Sequence, residues 1–361
     1  MTLRVMIDGF YLRKQRGMGR YTRELLYSLG RFKPEELSIH VVLPKVISSE
    51  SYILPNKIHY HSLPSLPFPL WEQLLIPWAA WHFKPDVVHS PYNTKPLIFN
   101  LGYQRHVVTV HDLMFVDHTH KVGSWYQWLG NLYRRWVAFR LRTKSQSVVT
   151  VSHHSQAIIR ERLGFVAHVV YPPSEYFCST ATSRVWPQPE KPYFYHIGGA
   201  SPNKNTARCI EAFLSSGLDG FSVVVSGTGK DSALADKYSS EKVIFTGWID
   251  DEALASYYRQ AVAVVFPSLQ EGFGSPVVEA MGFGVPLITS RLDPMQEVAG
   301  DAALFVDPYS TDDIAAAMRR VAADVSLRER LIERGRQRVA EISSETMAQR
   351  VYKTYKRALA E

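Results

Sequence analysis

The sequence has only two cysteines in 361 residues, Cys178 and Cys209, with no CxxC or paired-histidine spacing. That leaves no basis for a disulfide framework or a zinc site, and the two thiols read as incidental. No run of 18 uncharged apolar residues is present; the nearest, 67–83, is interrupted by Glu72, Gln73 and two further prolines. The opening MTLRVMIDGFYLRK has no charged n-region ahead of a long apolar stretch, so it reads as a first strand and not as an export signal. A G-x-G-x-x-G fingerprint is missing. SGTGKDS (226–232) also lacks the earlier glycine and the Ser/Thr after Lys230 that a P-loop requires, which weakens the case for a dinucleotide-dependent oxidoreductase. There is no internal repeat with a period of 20 to 50 residues.

What remains is the composition of a folded globular protein, 46% hydrophobic and 21% charged, long enough for about two domains. The net charge of +7 is unevenly spread. Residues 1–172 carry 21 Lys+Arg against 10 Asp+Glu, whereas 173–361 carry 20 against 24. A basic half joined to a mildly acidic half implies that the first half meets something anionic.

Short β-branched runs ending in polar or turn residues alternate with amphipathic stretches throughout. In the first half they are RVMID (4–8), IHVVLP (39–44), DVVHS (86–90), HVVTVHD (106–112) and SVVTVS (147–152). In the second they are YFYHIGG (193–199), FSVVVSG (221–227), KVIFTG (242–247), AVAVVFPS (261–268), VPLITS (285–290) and ALFVD (303–307). Strand-helix-strand order repeated twice predicts two α/β domains with mainly parallel sheets. The proline-rich stretch 171–192 reads as their linker, and a helix over 19–29 is expected to stop at Gly30. Ser310 with Asp313 resembles a capping box opening a helical C-terminus. In open parallel sheets ligands sit at the carboxyl ends of the strands, so the strand-to-helix loops should carry the chemistry.

The most informative loop is PSLQEGFGSPVVEAMGFGVPLITS (267–290). Glu271 and Glu279 stand eight apart, around a small-residue turn that leads into a helix. Backbone N–H groups at a helix start favour a phosphate, and a nearby carboxylate accepts hydrogen bonds from sugar or ribose hydroxyls. Together they describe a phosphate-plus-polyol site.

This E-x7-E pattern, with DPMQEVAGDAALFVDP (293–308) after it and VIFTGWIDDEALASYYRQAVAVVFPS (243–268) before it, resembles the retaining nucleotide-sugar glycosyltransferases of family four. The first half is similar in layout only. The resemblance implies a GT-B fold, two Rossmann-like domains facing across a cleft. The acceptor domain would be 1–172, with a terminal helix at about 345–361 packing back on it, and the nucleotide-sugar domain 173–344. It implies that Glu271 contacts the donor sugar and Glu279 the ribose diol. The amides of Phe273, Gly274 and Ser275 would meet sugar and diphosphate, Lys204 would sit on the diphosphate, and Ile249 and Asp251 would lie by the base. Many relatives carry an arginine five residues before the lysine, where this sequence has Gly199. The Gly198-Gly199 backbone, or Arg208, would have to replace it. HIGGASPNKN (196–205) is similar to a bacterial branch that includes O-antigen mannosyl- and rhamnosyltransferases.

In the first half, Gly17 and Gly19 precede a helix and suit close approach of a phosphate. His111, in VHD after a strand, resembles the family's histidine beside the donor sugar. Between 121 and 146 lie six cations (Lys121, Arg134, Arg135, Arg140, Arg142, Lys144), no acids and several aromatics, among them Trp125, Tyr126, Trp128 and Trp136. That mix suits an anionic membrane surface or a lipid diphosphate. No nucleic-acid signature accompanies it. The apolar segment 63–83 is the second element expected to shape the acceptor side. The resulting expectation is a metal-free, cofactor-free transferase moving a hexose, mannose or a deoxyhexose from a GDP-sugar, onto a polyprenyl-diphosphate-linked or other saccharide. It would be cytoplasmic and peripheral on the inner face of the cytoplasmic membrane. The alternatives are a UDP-sugar donor, a non-catalytic GT-B partner subunit, or an NAD-dependent oxidoreductase.

Overall fold

The computed structural model describes residues 2–14, 16–32, 36–45, 58–97, 105–116, 125–141, 146–180, 186–199, 201–229 and 232–360. The chain forms two compact units, 1–172 together with 344–361, and 173–343. The division falls at the proline pair Pro172-Pro173, where the charge balance also changes. Ser344 belongs with the first unit, one residue earlier than the expected boundary.

The first unit is a parallel sheet of seven strands: β1 (Leu3–Asp8), β2 (Leu37–Pro44), β3 (His59–Leu63), β4 (Val87–Ser90), β5 (Arg105–Val110), β6 (Gln146–Thr150) and β7 (His168–Val169). Their order is β3-β2-β1-β4-β5-β6-β7. The second unit has six parallel strands: β8 (Tyr193–Ile197), β9 (Ser222–Ser226), β10 (Val243–Gly247), β11 (Ala263–Phe266), β12 (Leu287–Ser290) and β13 (Ala303–Val306). Their order is β10-β9-β8-β11-β12-β13. Central strands carry consecutive fully buried side chains, Val5-Met6-Ile7 in β1 and Val223-Val224-Val225 in β9, because helices cover both faces of such sheets. In each sheet the growth direction reverses once, between β1 and β4 and between β8 and β11. Loops diverge at these switch points and leave a crevice.

The Ser344–Ala360 helix belongs to the first unit and is tied to its sheet through a buried histidine. His89 bonds Tyr355 OH through Nδ1 at 2.8 Å and Thr109 Oγ1 through Nε2 at 2.9 Å. Burial pushes its imidazole down to about 3, so it stays neutral.

Several local expectations need correction. The first helix runs Met18–Arg31, through Gly30, because a glycine inside a helix costs only about 1 kcal/mol. It ends where Phe32 turns extended. Strands β3 and β7 were not expected: one is the edge segment HYHSL, with three polar residues in five, and the other is only two residues long. The supposed linker contains a helix, Glu175–Thr180, while 181–185 lie outside the described residues. Ser310 caps its helix through Asp313 N, but the Asp313 carboxylate accepts from Asp307 N, so the box is only half formed. Residues 68–83 form a continuous helical run with a π turn at Trp71–Leu75. The extra residue in that turn lets Trp71, Glu72 and Gln73 all be buried, which a regular amphipathic helix does not allow.

Candidate active site

The two switch points are where the described residues concentrate chemistry. At the second sheet, β8 runs into Gly198-Gly199, then a 3-10 turn Pro202–Lys204, then the Thr206–Ser215 helix. β11 runs into 267–274, then the Ser275–Gly282 helix. Asn205 joins these loops. It holds the left-handed conformation (φ 57°), tolerable for asparagine, and its Nδ2 donates to the carbonyls of Pro267 at 3.0 Å and Pro308 at 2.7 Å. Asn203 Nδ2 donates to Gln270 O at 2.9 Å, and Leu269 N to Asn203 O at 2.8 Å.

This stitching brings Lys204 to Glu271, Nζ to Oε1 at 2.7 Å, with side chains 24% and 14% exposed. Ser268 Oγ lies 2.7 Å from the same carboxylate oxygen, and the ammonium stands 5.1 Å over the Phe266 ring. The pair is pre-positioned yet reachable from solvent. Gly199 sits beside it: a Cβ there would be 3.6 Å from Lys204 Cγ. Gly198 N is already committed to Ser226 O at 2.9 Å. Arg208 donates to Asn205 Oδ1 at 2.6 Å and leans on Pro308 O at 3.3 Å. Its guanidinium therefore braces the loop.

The turn into the next helix depends on Gly274, whose φ of +87° a side-chain-bearing residue rarely adopts. Phe273 is buried, Ser275 opens the helix, and Pro276 occupies a first-turn position whose N–H would be unpaired anyway. One turn in, Glu279 is 4% exposed and its Oε2 accepts from Tyr258 OH at 2.6 Å. Tyr258 is itself fully buried and stacks on Phe283. Ile249 and Asp251 flank Asp250, which caps the Asp251–Gln260 helix through Ala253 N at 2.8 Å. They lie after β10, two strands from β8 in the sheet order.

At the first sheet, His111 follows β5. Its Nε2 lies 2.9 Å from Pro91 O, and since a carbonyl only accepts, Nε2 carries the hydrogen and Nδ1 is an acceptor. Its backbone N donates to Asn93 Oδ1 at 2.7 Å, and the ring stands edge-on to Tyr21 at 4.5 Å. Burial lowers the imidazole pKa against the opposing pull of the Pro91 carbonyl and Asp112, which favours the neutral ring. His111 lines a cavity of about 300 Å³ with Met18, Asn93, Asp112, Asn131 and Arg134. Gly17 (φ +60°) is the residue before the Met18–Arg31 helix. Gly19 packs so closely that a Cβ would fall 2.0 Å from Lys14 O, so the position admits no side chain.

Behind this cavity lie two buried carboxyl groups. Glu72 accepts from Thr94 Oγ1 at 2.5 Å, from Gln73 Nε2 at 3.1 Å and from Tyr133 OH. Burial pushes it up to about 8. Asp8, at the end of β1, accepts from Phe10 N and Trp71 Nε1, both at 2.9 Å, while its Oδ2 is buried without a partner. It is pushed up to about 7, again by burial. The sequence reading missed this pair, together with Asn205, Ser268, Tyr258, Asn93 and Asn131. Only Glu72, a lone acid within an apolar run, carried a usable signal. No His/Cys/Asp/Glu cluster suited to a metal occurs among the described residues.

Two units, each a parallel sheet of the same Rossmann-like order, agree with the GT-B fold that the sequence resemblance implies. The family description "Glycosyl transferases group 1" matches residues 180–338, and "Glycosyl transferase 4-like domain" matches 16–173. Each half of the chain thus carries a glycosyltransferase family domain. It is 32% identical over 173 residues to the O-antigen chain mannosyltransferase B of Escherichia coli, covering 45% of each chain. It is 32% identical over 134 residues to the MMP alpha-(1->4)-mannosyltransferase of Mycolicibacterium hassiacum, covering 36% of this chain and 33% of that one. The matched stretches thus span less than half of either relative. Among solved structures it is similar to the sucrose-phosphate synthase of Thermosynechococcus elongatus (TM-score 0.73, 19% identity, 99% of both chains). It is also similar to WaaG, a glycosyltransferase involved in lipopolysaccharide biosynthesis (TM-score 0.67, 13% identity, 96% of this chain and 98% of that one). At these identities the likeness shows the fold.

Proposed function

We propose that the chain transfers a hexose from a nucleotide diphosphate sugar to a saccharide acceptor, with retention of anomeric configuration. The observation that carries this reading is the Lys204–Glu271 pair at the β8/β11 switch point, with Glu279 one helical turn beyond the Gly274 loop. As the bond from sugar C1 to the phosphate oxygen breaks, negative charge gathers on the departing diphosphate. A pre-positioned ammonium there lowers the barrier. The acceptor hydroxyl oxygen bonds to C1 from the same face, and its proton passes to the departing phosphate oxygen. Glu271 positions the sugar hydroxyls in this scheme and is not the nucleophile. Glu279, held by Tyr258, takes the ribose diol. The chemistry requires no metal and no cofactor.

For the donor we propose a GDP-sugar of mannose or a deoxyhexose, supported by the HIGGASPNKN segment and by the mannosyltransferase names of the relatives. A UDP-sugar is the second reading, favoured by one observation: the HepE structure from Anabaena, at TM-score 0.71 and 14% identity, is titled as a complex with UDP and glucose. The acceptor is proposed to be lipid-linked and the protein peripheral on the inner face of the cytoplasmic membrane. The support is a set of exposed apolar side chains on two separate helical stretches of the first unit. Trp78, Trp81, Leu129, Leu132, Trp136 and Phe139 are all exposed, and Arg140 lies 4.7 Å over the Trp136 ring. Lys121, Arg142, Lys144 and the side chains of Trp125, Tyr126 and Trp128 lie outside the described residues. No described helix is long and apolar enough to cross a membrane.

The test is a transfer assay of the purified chain with GDP-mannose and UDP-glucose against lipid-linked and free saccharides, with product anomers assigned by NMR. Transfer from neither donor, with intact nucleotide binding, would favour a non-catalytic partner subunit. An inverted anomer would refute the retaining scheme.

A further inference from the structure

A chain of four buried polar side chains runs through the first unit and ends against the His111 ring. It begins at Tyr355 in the Ser344–Ala360 helix, whose hydroxyl lies 2.8 Å from His89 Nδ1 on β4. His89 Nε2 lies 2.9 Å from Thr109 Oγ1 on β5, and that oxygen lies 3.1 Å from the hydroxyl of Tyr21, in the first turn of the Met18–Arg31 helix. The Tyr21 ring then stands edge-on to His111, with centroids 4.5 Å apart and planes at 89°. His89, Thr109 and Tyr355 are fully buried, and Tyr21 is 5% exposed.

Core packing does not call for such a chain. His89 and Thr109 interrupt strand segments that are otherwise valine, Val87-Val88 in β4 and Val107-Val108 with Val110 in β5, all without exposed surface. Replacing both partners of a buried hydrogen bond by apolar groups of the same shape is close to neutral for stability, whereas a satisfied polar network fixes one arrangement. His89 is bonded at both ring nitrogens, so its ring cannot turn over without losing both partners. It therefore fixes Thr109, and Thr109 fixes the Tyr21 hydroxyl. Thr109 stands two residues before His111, and the alternation of side chains along a strand turns both to the side where Tyr21 meets them.

His111 needs this support. Its backbone is held at both ends, the N–H by Asn93 Oδ1 at 2.7 Å and the carbonyl by Ser155 Oγ at 3.0 Å. Its imidazole is bonded through Nε2 to Pro91 O at 2.9 Å, and one such bond leaves a ring free to pivot. The edge-on phenol ring removes that freedom.

We propose that Tyr21, Thr109, His89 and Tyr355 are positioning residues for the transfer reaction: the chain from the terminal helix sets the angle of the His111 ring and so the direction of its acceptor Nδ1. The assignment rests on the transferase reading, in which His111 is expected beside the donor sugar.

The experiment follows the ring nitrogen NMR signals of His111, assigned with a His111→Gln protein, in the full chain and in Tyr355→Phe, Tyr21→Phe and Met347→Ala, together with kcat in the transfer assay. The two Phe variants each delete one hydroxyl and keep the ring. Met347→Ala opens a cavity at a buried position two turns earlier in the terminal helix, which weakens packing without removing a link of the chain. The His111 signals should shift in both Phe variants and stay in place in Met347→Ala. In Tyr355→Phe, kcat should fall about tenfold, part of the ~100-fold that a 1 Å misplacement can cost, with little change in donor KM. His111 signals that stay in place in Tyr355→Phe, or shift equally in Met347→Ala, would overturn the proposal, as would shifted signals with a wild-type kcat. Signals that behave as expected in a chain that turns over no donor would uphold the placement of His111 and sink the transferase reading, so the two fail separately.

Discussion

The two sheets share a strand order but equip their switch points in opposite ways. At β8/β11 the ionisable groups are partly exposed and matched, Lys204 against Glu271, ready for a ligand that brings charge. At β1/β4 the carboxyl groups of Asp8 and Glu72 are withdrawn into the core, and burial raises both. Among the described residues, the nearby cavity is lined by amides, an imidazole, a guanidinium and a carboxylate as well as apolar side chains. The same backbone topology thus carries a partly exposed ion pair at one switch point and buried carboxyl groups by the other. Fold alone does not separate these, and the side chains at the loop starts do.

The largest effect should come from removing the Lys204 ammonium at the charged crevice. Lys204→Ala is expected to lower kcat about 10²–10³-fold, the usual cost of losing a donor to developing negative charge, with a smaller change in acceptor KM. Glu271→Gln should lower turnover as well, and a wild-type rate in that protein would remove Glu271 from sugar positioning.

The next contrast is in pH. Glu72 and Asp8 hold protons in the folded chain at pH values where the unfolded chain has lost them. Stability should therefore fall as pH rises, by up to about 1.4 kcal/mol per pH unit for each group, from about 4 to about 7 for Asp8 and from about 4.5 to about 8 for Glu72. Glu72→Gln keeps the shape without the titration and should flatten part of that slope in denaturant melts. An unchanged slope would mean that Glu72 ionises normally.

The smallest effect is expected at Arg208. Because its guanidinium braces Asn205 and Pro308 O, Arg208→Ala should cost about 1 kcal/mol of stability and change kcat by less than about threefold. A hundredfold loss of rate would instead mean that Arg208 takes the place of the arginine absent at Gly199.

Much of this was legible in the sequence because buried parallel strands announce themselves. All six apolar runs named in the second half coincide with β8 to β13. The E-x7-E spacing likewise placed Glu271 before its helix and Glu279 within it. What was not legible depended on contacts far apart in the chain. Strand β3 has weak β character of its own and forms because it pairs with β2. Asn205 looks like an ordinary residue after a lysine until the loops it joins, 62 and 103 residues away, are seen. The Asp8–Glu72 pair spans 64 positions, and only the π turn at Trp71–Leu75 brings Glu72 inward. Local pattern gives elements and their ends. Switch-point chemistry is assembled across the sheet.

The most direct test of the central claim, that the charged crevice of the second unit is the nucleotide side, is calorimetric titration of GDP and UDP, without added metal, into the wild-type and Glu279→Gln proteins. The account predicts that GDP binds the wild type and binds the variant about tenfold or more weakly, as expected when a charged hydrogen-bond acceptor for a diol becomes an amide. Equal affinity for the two proteins, or binding of neither nucleotide, would contradict it.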